Sequence, residues 1–265
     1  RRAEEGGVGS AGWGGDGGWP GGLAHFADLG MFGEGVGGQS EVGAGRGIGA
    51  HCAPVAMGGV AVARGGGDPW GMEIVDEIRA CRLCAARFAA TATAHEPRPV
   101  AWFQPGARLL IAGQAPGARV QESGRPFADR SGERLRDWMG VSEAEFYDLG
   151  RVAVVPMAFC FPGYDAKGAD LPPPPVCAAT WRGRVMTGLP EVRLLLAVGG
   201  AAMRWHLGAR DVAAAVADWR GFAARGVFPL PHPSWRNTGW LKRHAWFEAE
   251  LVPELRRAVR EVMDG

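Results

Sequence analysis

Four short apolar runs, each flowing into a loop rich in glycine or proline, constrain this chain more than any other feature. They are LLIAGQAPG (109–117), VAVVPMAF (152–159), LLLAVGG (194–200) and VFPLPHP (227–233). Each is apolar without alternation and too short for a helix, the pattern of a strand buried on both faces. Between them lie stretches with helical spacing. SGERLRDWMG is opened by a Ser131 cap and closed by Gly140, and a further helix begins after Pro175. GAAMRWHLG, DVAAAVADW and the last 25 residues are also helical in pattern, and MEIVDEIRACRLCAARFAA (72–90) predicts one helix before the first strand. Strands alternating with helices imply an α/β fold, a three-layer α/β/α sandwich around a central, mostly parallel four-stranded sheet. Ligands of such sheets sit beyond the carboxyl ends of the strands. That gathers loops 113–130, 156–177 and 231–240 into one place.

Composition limits the rest. A formal net charge of +1 gives no overall field for nucleic acid or membrane, so any such surface must be local. No run of about 18 apolar residues suggests a transmembrane helix. No basic stretch followed by an apolar one suggests a secretory signal, so a cytoplasmic location and no membrane partner follow by default. More than half of the 43 glycines fall in the first 70 residues, without useful periodicity. Residues 1–71 are therefore expected to be a disordered or non-native segment. Met72 opens the first amphipathic stretch and reads as the native start, with a genuine flexible tail as the alternative. The working domain is 72–265, expected to act as a monomer.

Three groups of residues carry chemistry. Gly113-Gln114-Ala115-Pro116-Gly117 is a turn that lets backbone approach a ligand. It is neither G-x-G-x-x-G nor a P-loop. Pro229, Pro231 and Pro233 stiffen the mount of His232, and Ser234, Trp235, Arg236, Asn237, Lys242 and Arg243 follow. Taken alone, His232 is equally a structural histidine. Cys81-x-x-Cys84 in the first helix, with Cys160 and Cys177 flanking a proline-rich stretch, offers four thiolates. These suit a 4Fe–4S cluster or tetrahedral zinc, or are four small buried residues and no metal site. Cys52 lies in the glycine-rich segment and has no assigned part.

GQAPG after a strand, the downstream Gly124–Phe127 (GRPF) and the late strand ending in His232-Pro233-Ser234 together resemble the uracil-DNA glycosylase superfamily. The similarity is greatest to its iron–sulfur branch, often called family 4, whose cysteine spacing this chain also resembles. The resemblance spans essentially 72–265. It implies a DNA glycosylase that flips uracil, or another damaged base, out of DNA and hydrolyses its N-glycosidic bond. On that resemblance His232 donates to the departing base and Phe127 stacks on it. Gly113 and Ala115 approach the base, and Gln114 contacts the nucleotide or the attacking water. Ser234 with neighbouring amides grips a phosphate, Arg236, Lys242 and Arg243 add positive charge, and Trp235 or Arg236 fills the gap in the duplex. Cys81, Cys84, Cys160 and Cys177 would hold the 4Fe–4S cluster. Two departures stand out. Gln114 and Ala115 occupy positions where the family supplies Glu or an Asp or Asn, so Glu122 or Asp129 is a candidate substitute. Pro156 stands where the family reads the base with Asn, a role Asn237 is expected to assume. The alternatives are a glycosylase for hypoxanthine or xanthine, and a non-catalytic binder of uracil-containing or abasic DNA.

Overall fold

The computed structural model describes residues 72–265. The expectation for residues 1–71 lies outside the described residues. In chain order the elements are α1 (Met72–Ala80), α2 (Ala85–Ala89), β1 (Leu109–Ala112), α3 (Ala118–Ser123), α4 (Arg130–Met139), α5 (Glu143–Phe146), β2 (Val152–Val154), α6 (Pro175–Thr187) and β3 (Leu194–Val198). There follow α7 (Gly199–Leu207), α8 (Val212–Ala217), α9 (Trp219–Ala223), β4 (Val227–Leu230), a 3₁₀ turn (Trp235–Asn237), α10 (Thr238–Arg243), a π-helical turn (Phe247–Leu251) and α11 (Val252–Asp264).

The four apolar runs form one sheet in the order β2-β1-β3-β4, parallel throughout. Every strand residue is buried, which is why the runs lack polar alternation. Pro229 is tolerated within β4 because β4 is an edge strand, where a missing donor breaks no inner ladder. α11 packs across β1 and β3, α8 and α9 against β4, and α1 against α6. The chain passes from β1 outward to β2 and then back across to β3. The strand order therefore reverses between β1 and β3, the switch point at whose carboxyl end ligands bind.

Three local expectations are corrected. The helix over 72–90 is two helices, because the main chain turns at Cys81–Cys84. Arg82 Nη1 donates to the carbonyls of Arg79 (3.2 Å) and Cys81 (2.9 Å), closing the end of α1. Asp129 caps α4 in place of Ser131. Its Oδ1 accepts from the Ser131 (3.1 Å) and Gly132 (3.2 Å) amides, so the helix begins one residue before Ser131. The C-terminal stretch is three pieces. The His244 ring meets Trp240 O at 2.8 Å at the end of α10, and Pro253, unable to continue the ladder, follows a wide π turn.

Candidate active site

The GQAPG turn leaves β1 at the centre of the sheet and is pinned from one side. Met157 N–H donates to Gly113 O (2.9 Å) and Ala158 N–H to Gln114 O (3.1 Å), so the pairing of β1 with β2 continues past both strands. Gln114 and Ala115 are half-buried at this edge. A methyl group on Gly113 would meet Phe127 Cζ at 3.7 Å, so the Phe127 ring lies over the turn. Two of the residues that the resemblance assigns to the base, Gly113 and Phe127, are thus together.

Phe127 is held in a backbone conformation that phenylalanine rarely adopts, φ 53°. Such a residue costs about 1–3 kcal/mol and persists only where its surroundings over-determine it. Here they do. Arg136 Nη1 donates to Phe127 O (3.3 Å) and Tyr147 Oη to Pro126 O (2.8 Å). The Phe146 ring stands edge-on to Phe127 at 6.1 Å. The Arg125 guanidinium lies 3.7 Å over the Tyr147 ring, and Gly132 of α4 passes directly against the Phe127 carbonyl. The result is a fixed aromatic shelf beside Gly113.

His232 follows β4 and sits beside the end of β3. Gly199 has φ 79°, and a Cβ there would lie 3.7 Å from His232 Cβ and 3.9 Å from Cδ2. Ser234 N–H donates to His232 Nδ1 (3.2 Å). A backbone amide can only donate, so Nδ1 carries the lone pair and the ring proton is on Nε2. The ring keeps surface open to solvent, yet it sits in a crowded recess. Desolvation is the largest influence and holds its pKa below the ordinary imidazole range. Arg236 pushes the same way, while the charges of Asp129 and Asp170 oppose. A neutral imidazole with an outward Nε2–H is therefore the resting form.

The loop bearing His232 is braced from within and from outside. Asn237 Nδ2 donates to His232 O (2.7 Å). Arg134 of α4 donates to Ser234 O (3.1 Å) and approaches Thr238 Oγ1 (3.4 Å). Asn237, expected to read the base, thus gives one of its two side-chain N–H groups to the mount of His232. The Ser234 amide is engaged with the His232 ring, while the Ser234 hydroxyl, expected to grip a phosphate, has no partner among the described hydrogen bonds. Trp235 is 78 % exposed at the rim. Arg236, Lys242 and Arg243 are exposed beside it and at the end of α10.

Of the two acids expected as substitutes, Asp129 reaches His232 with its charge, and neither contacts Gln114 among the described hydrogen bonds. Asp129 Oδ1 takes the cap bonds and Ser131 Oγ (2.5 Å), and Glu122 is exposed on α3. Asp170, which no motif marked, lies in the electrostatic reach of both His232 and Arg236. Its own pKa is raised by burial, against the lowering influence of those two charges. It sits in a reverse turn where Tyr164 and Asp170 bridge, between Cys160 and Cys177, and only the tertiary fold brings it to the site.

Cys81, Cys84, Cys160 and Cys177 line one pocket together with Ile78, Phe88 and Trp181. Burial is the main cause that pushes the Cys160 thiol up to about 12 and the Cys177 thiol up to about 11. Phe159 N–H donates to Cys177 Sγ (3.5 Å). Among the described residues, no group of three or more His, Cys, Asp or Glu is placed to hold a metal ion.

A parallel sheet with a stacking shelf, a donor imidazole and a cationic rim at its switch point is the architecture of an α/β enzyme that holds a base drawn out of nucleic acid. The chain belongs to the uracil DNA glycosylase superfamily, whose family model matches residues 100–256, more than half of the chain. Membership makes it a DNA glycosylase in the general sense, a DNA-repair hydrolase acting on damaged bases in DNA. The match includes Gly113, Gln114, Phe127 and His232. No helix among the described residues is long and apolar enough to cross a membrane.

Proposed function

We propose that the protein is a uracil-DNA glycosylase of the iron–sulfur branch. It hydrolyses the bond between uracil and deoxyribose and leaves an abasic site. The observation that carries this reading is the state of His232. Its Nδ1 is occupied by the Ser234 amide, so a neutral ring offers its Nε2–H to a ligand. When the C1′–N1 bond breaks, its electron pair goes to the base, and the negative charge reaches O2. A donor already in place stabilises that charge at no reorganisation cost. Phe127 provides the plane on which the flipped base stacks, and Gly113 gives the close approach. Gln114, fixed by its main-chain bond to Ala158, orients the water that adds its hydroxyl to C1′ while its other proton passes to solvent.

The four cysteines fit an iron–sulfur cofactor. Four thiolates around one pocket are the donor set of a cluster that takes one thiolate per iron. Cys81, Cys84, Cys160 and Cys177 would hold the 4Fe–4S cluster. Bound there, it would tie α1 and α6 to the segment that enters the site from β2. A brown preparation containing iron and sulfide, bleached in Cys160→Ser, is the expected result. A colourless protein carrying zinc or no metal contradicts it.

A second reading, a glycosylase for hypoxanthine or xanthine, is favoured by Pro156, which has no side-chain amide with which to select uracil. The test is incubation with end-labelled oligonucleotides carrying uracil, hypoxanthine or xanthine, followed by alkali. Strand breaks at uracil support the first reading. Breaks only at the purines support the second, and binding without breaks sinks both.

A further inference from the structure

Behind the site floor lies a buried cation that the chemistry above does not use. Arg182 of α6 is 2 % exposed. Its Nη1 donates to Val155 O (2.6 Å) and Pro156 O (3.2 Å), and its Nη2 meets His206 Nε2. Its Nε has no partner among the described residues. Burial alone lowers its pKa to about 9, so it is charged at neutral pH, and no carboxylate contributes. His206 is buried as well and is held neutral by burial and by the Arg182 charge. The cation is therefore solvated only by two carbonyls and an imidazole.

A charge taken out of water without a counter-ion is costly, and an apolar side chain of similar size would satisfy a purely structural need better. Its position gives it a use. Val155 and Pro156 are where the chain leaves β2, and the next two residues hold Gly113 O and Gln114 O. Arg182 thus stands one residue layer behind the turn on which the base rests. We propose that Arg182 is a positioning residue of the active site: it fixes the Val155–Ala158 segment beneath the Gly113–Gln114 turn and sets an unneutralised positive charge behind the base, easing its departure as an anion. The inference rests on the glycosylase reading. In the reaction it favours, the C1′–N1 electron pair passes to the base and water supplies a hydroxyl to C1′. The charge acts only on the negative charge that the base acquires, so its effect must grow as the leaving group worsens.

Single-turnover excision from oligonucleotides carrying uracil or 5-fluorouracil tests this, because fluorine makes the better anion. Arg182→Gln keeps hydrogen-bonding capacity without charge, and Arg182→Lys keeps the charge. Arg182→Gln should slow uracil excision more than 5-fluorouracil excision, widening the ratio of the two rates by about tenfold. Arg182→Lys should hold that ratio within about threefold of wild type. Oligonucleotide affinity, read by fluorescence anisotropy, should be unchanged in both. Equal losses on the two substrates mean a scaffold role only, and unchanged rates mean no role; either overturns the proposal. If wild type excises neither base, the glycosylase reading fails first and takes this inference with it. If wild type excises both and the ratio stays fixed in Arg182→Gln, this inference alone falls.

Discussion

Replacing Gly132 by alanine should cripple base excision while leaving the sheet intact. An added Cβ would lie 2.6 Å from the Phe127 carbonyl carbon and 2.9 Å from the Phe127 Cβ, and it would overlap the carbonyl oxygen. An ordinary contact between carbons is about 3.5–4.0 Å, so the Phe127 backbone must retreat by about 1 Å. Gly132 cannot turn away instead, since its amide donates to the Asp129 cap at 3.2 Å and losing that cap costs about 1 kcal/mol. The displaced group is main chain in a strained conformation, and it carries the shelf on which the base stacks. A misplacement of about 1 Å at a reacting centre costs about 100-fold in rate. Single-turnover excision from a uracil oligonucleotide should therefore fall by about that factor. The melting temperature should move only a few degrees, because alanine in a helix returns about 1 kcal/mol of propensity. A Gly132→Ala enzyme that works within about threefold of wild type would refute the fixed shelf.

Other expectations follow from the same geometry. Asn237→Ala removes the 2.7 Å bond to His232 O and should lower kcat about tenfold with little change in KM, because the mount loosens while the binding surface remains. A rise in KM with kcat unchanged would instead mark Asn237 as a base-reading residue. His206 and His232 both have lowered pKa values, so the folded protein binds fewer protons than the unfolded chain below the ordinary imidazole value. The contribution of buried His206 to stability is complete above about pH 6.5 and declines as pH falls, by about 1.4 kcal/mol per pH unit while the ring stays neutral, and solvent-exposed His232 adds less. Urea midpoints measured between about pH 7 and about pH 5 should show that decline, and His206→Gln should flatten it; a flat profile in wild type contradicts a buried neutral His206. Glu77 and Glu145, held low by Arg184 and Arg260, add their loss only at more acid pH, which keeps the two effects apart.

Much of the fold was legible because its signal is local. The apolar runs at 109–112, 152–154, 194–198 and 227–230 read as buried strands, and the helices between them pointed to a mostly parallel sheet, as found. That Gly113 and His232 both follow carboxyl ends of parallel strands was legible too, because topology sets which ends of the strands lie together. What stayed hidden depends on tertiary contacts. Asn237 looks free in sequence, and only folding shows its amide turned back onto His232 O. Asp170 sits in a polar turn like many others until the sheet brings it within reach of His232 and Arg236. Arg182 and Arg184 lie two apart on one helix, and nothing local says that the first is buried beneath Val155 while the second pairs with Glu77 at the surface. The break at Cys81–Cys84 was missed because helical spacing runs straight through it. The pocket beneath, lined by both cysteines, marks where that turn faces inward.

Everything proposed for the chemistry turns on a neutral His232 that stabilises the departing base. Single-turnover excision of uracil from a labelled oligonucleotide, followed as a function of pH for wild type and His232→Ala, reaches that role without intermediaries. Wild type should give an alkali-labile site, with a rate whose loss on acidification sets in at lower pH than an ordinary imidazole would give, because the His232 pKa is lowered. The alanine variant should be slower by about 100-fold to 1,000-fold, the scale of losing one pre-placed donor. No alkali-labile site in wild type, or an undiminished rate in His232→Ala, would contradict that role.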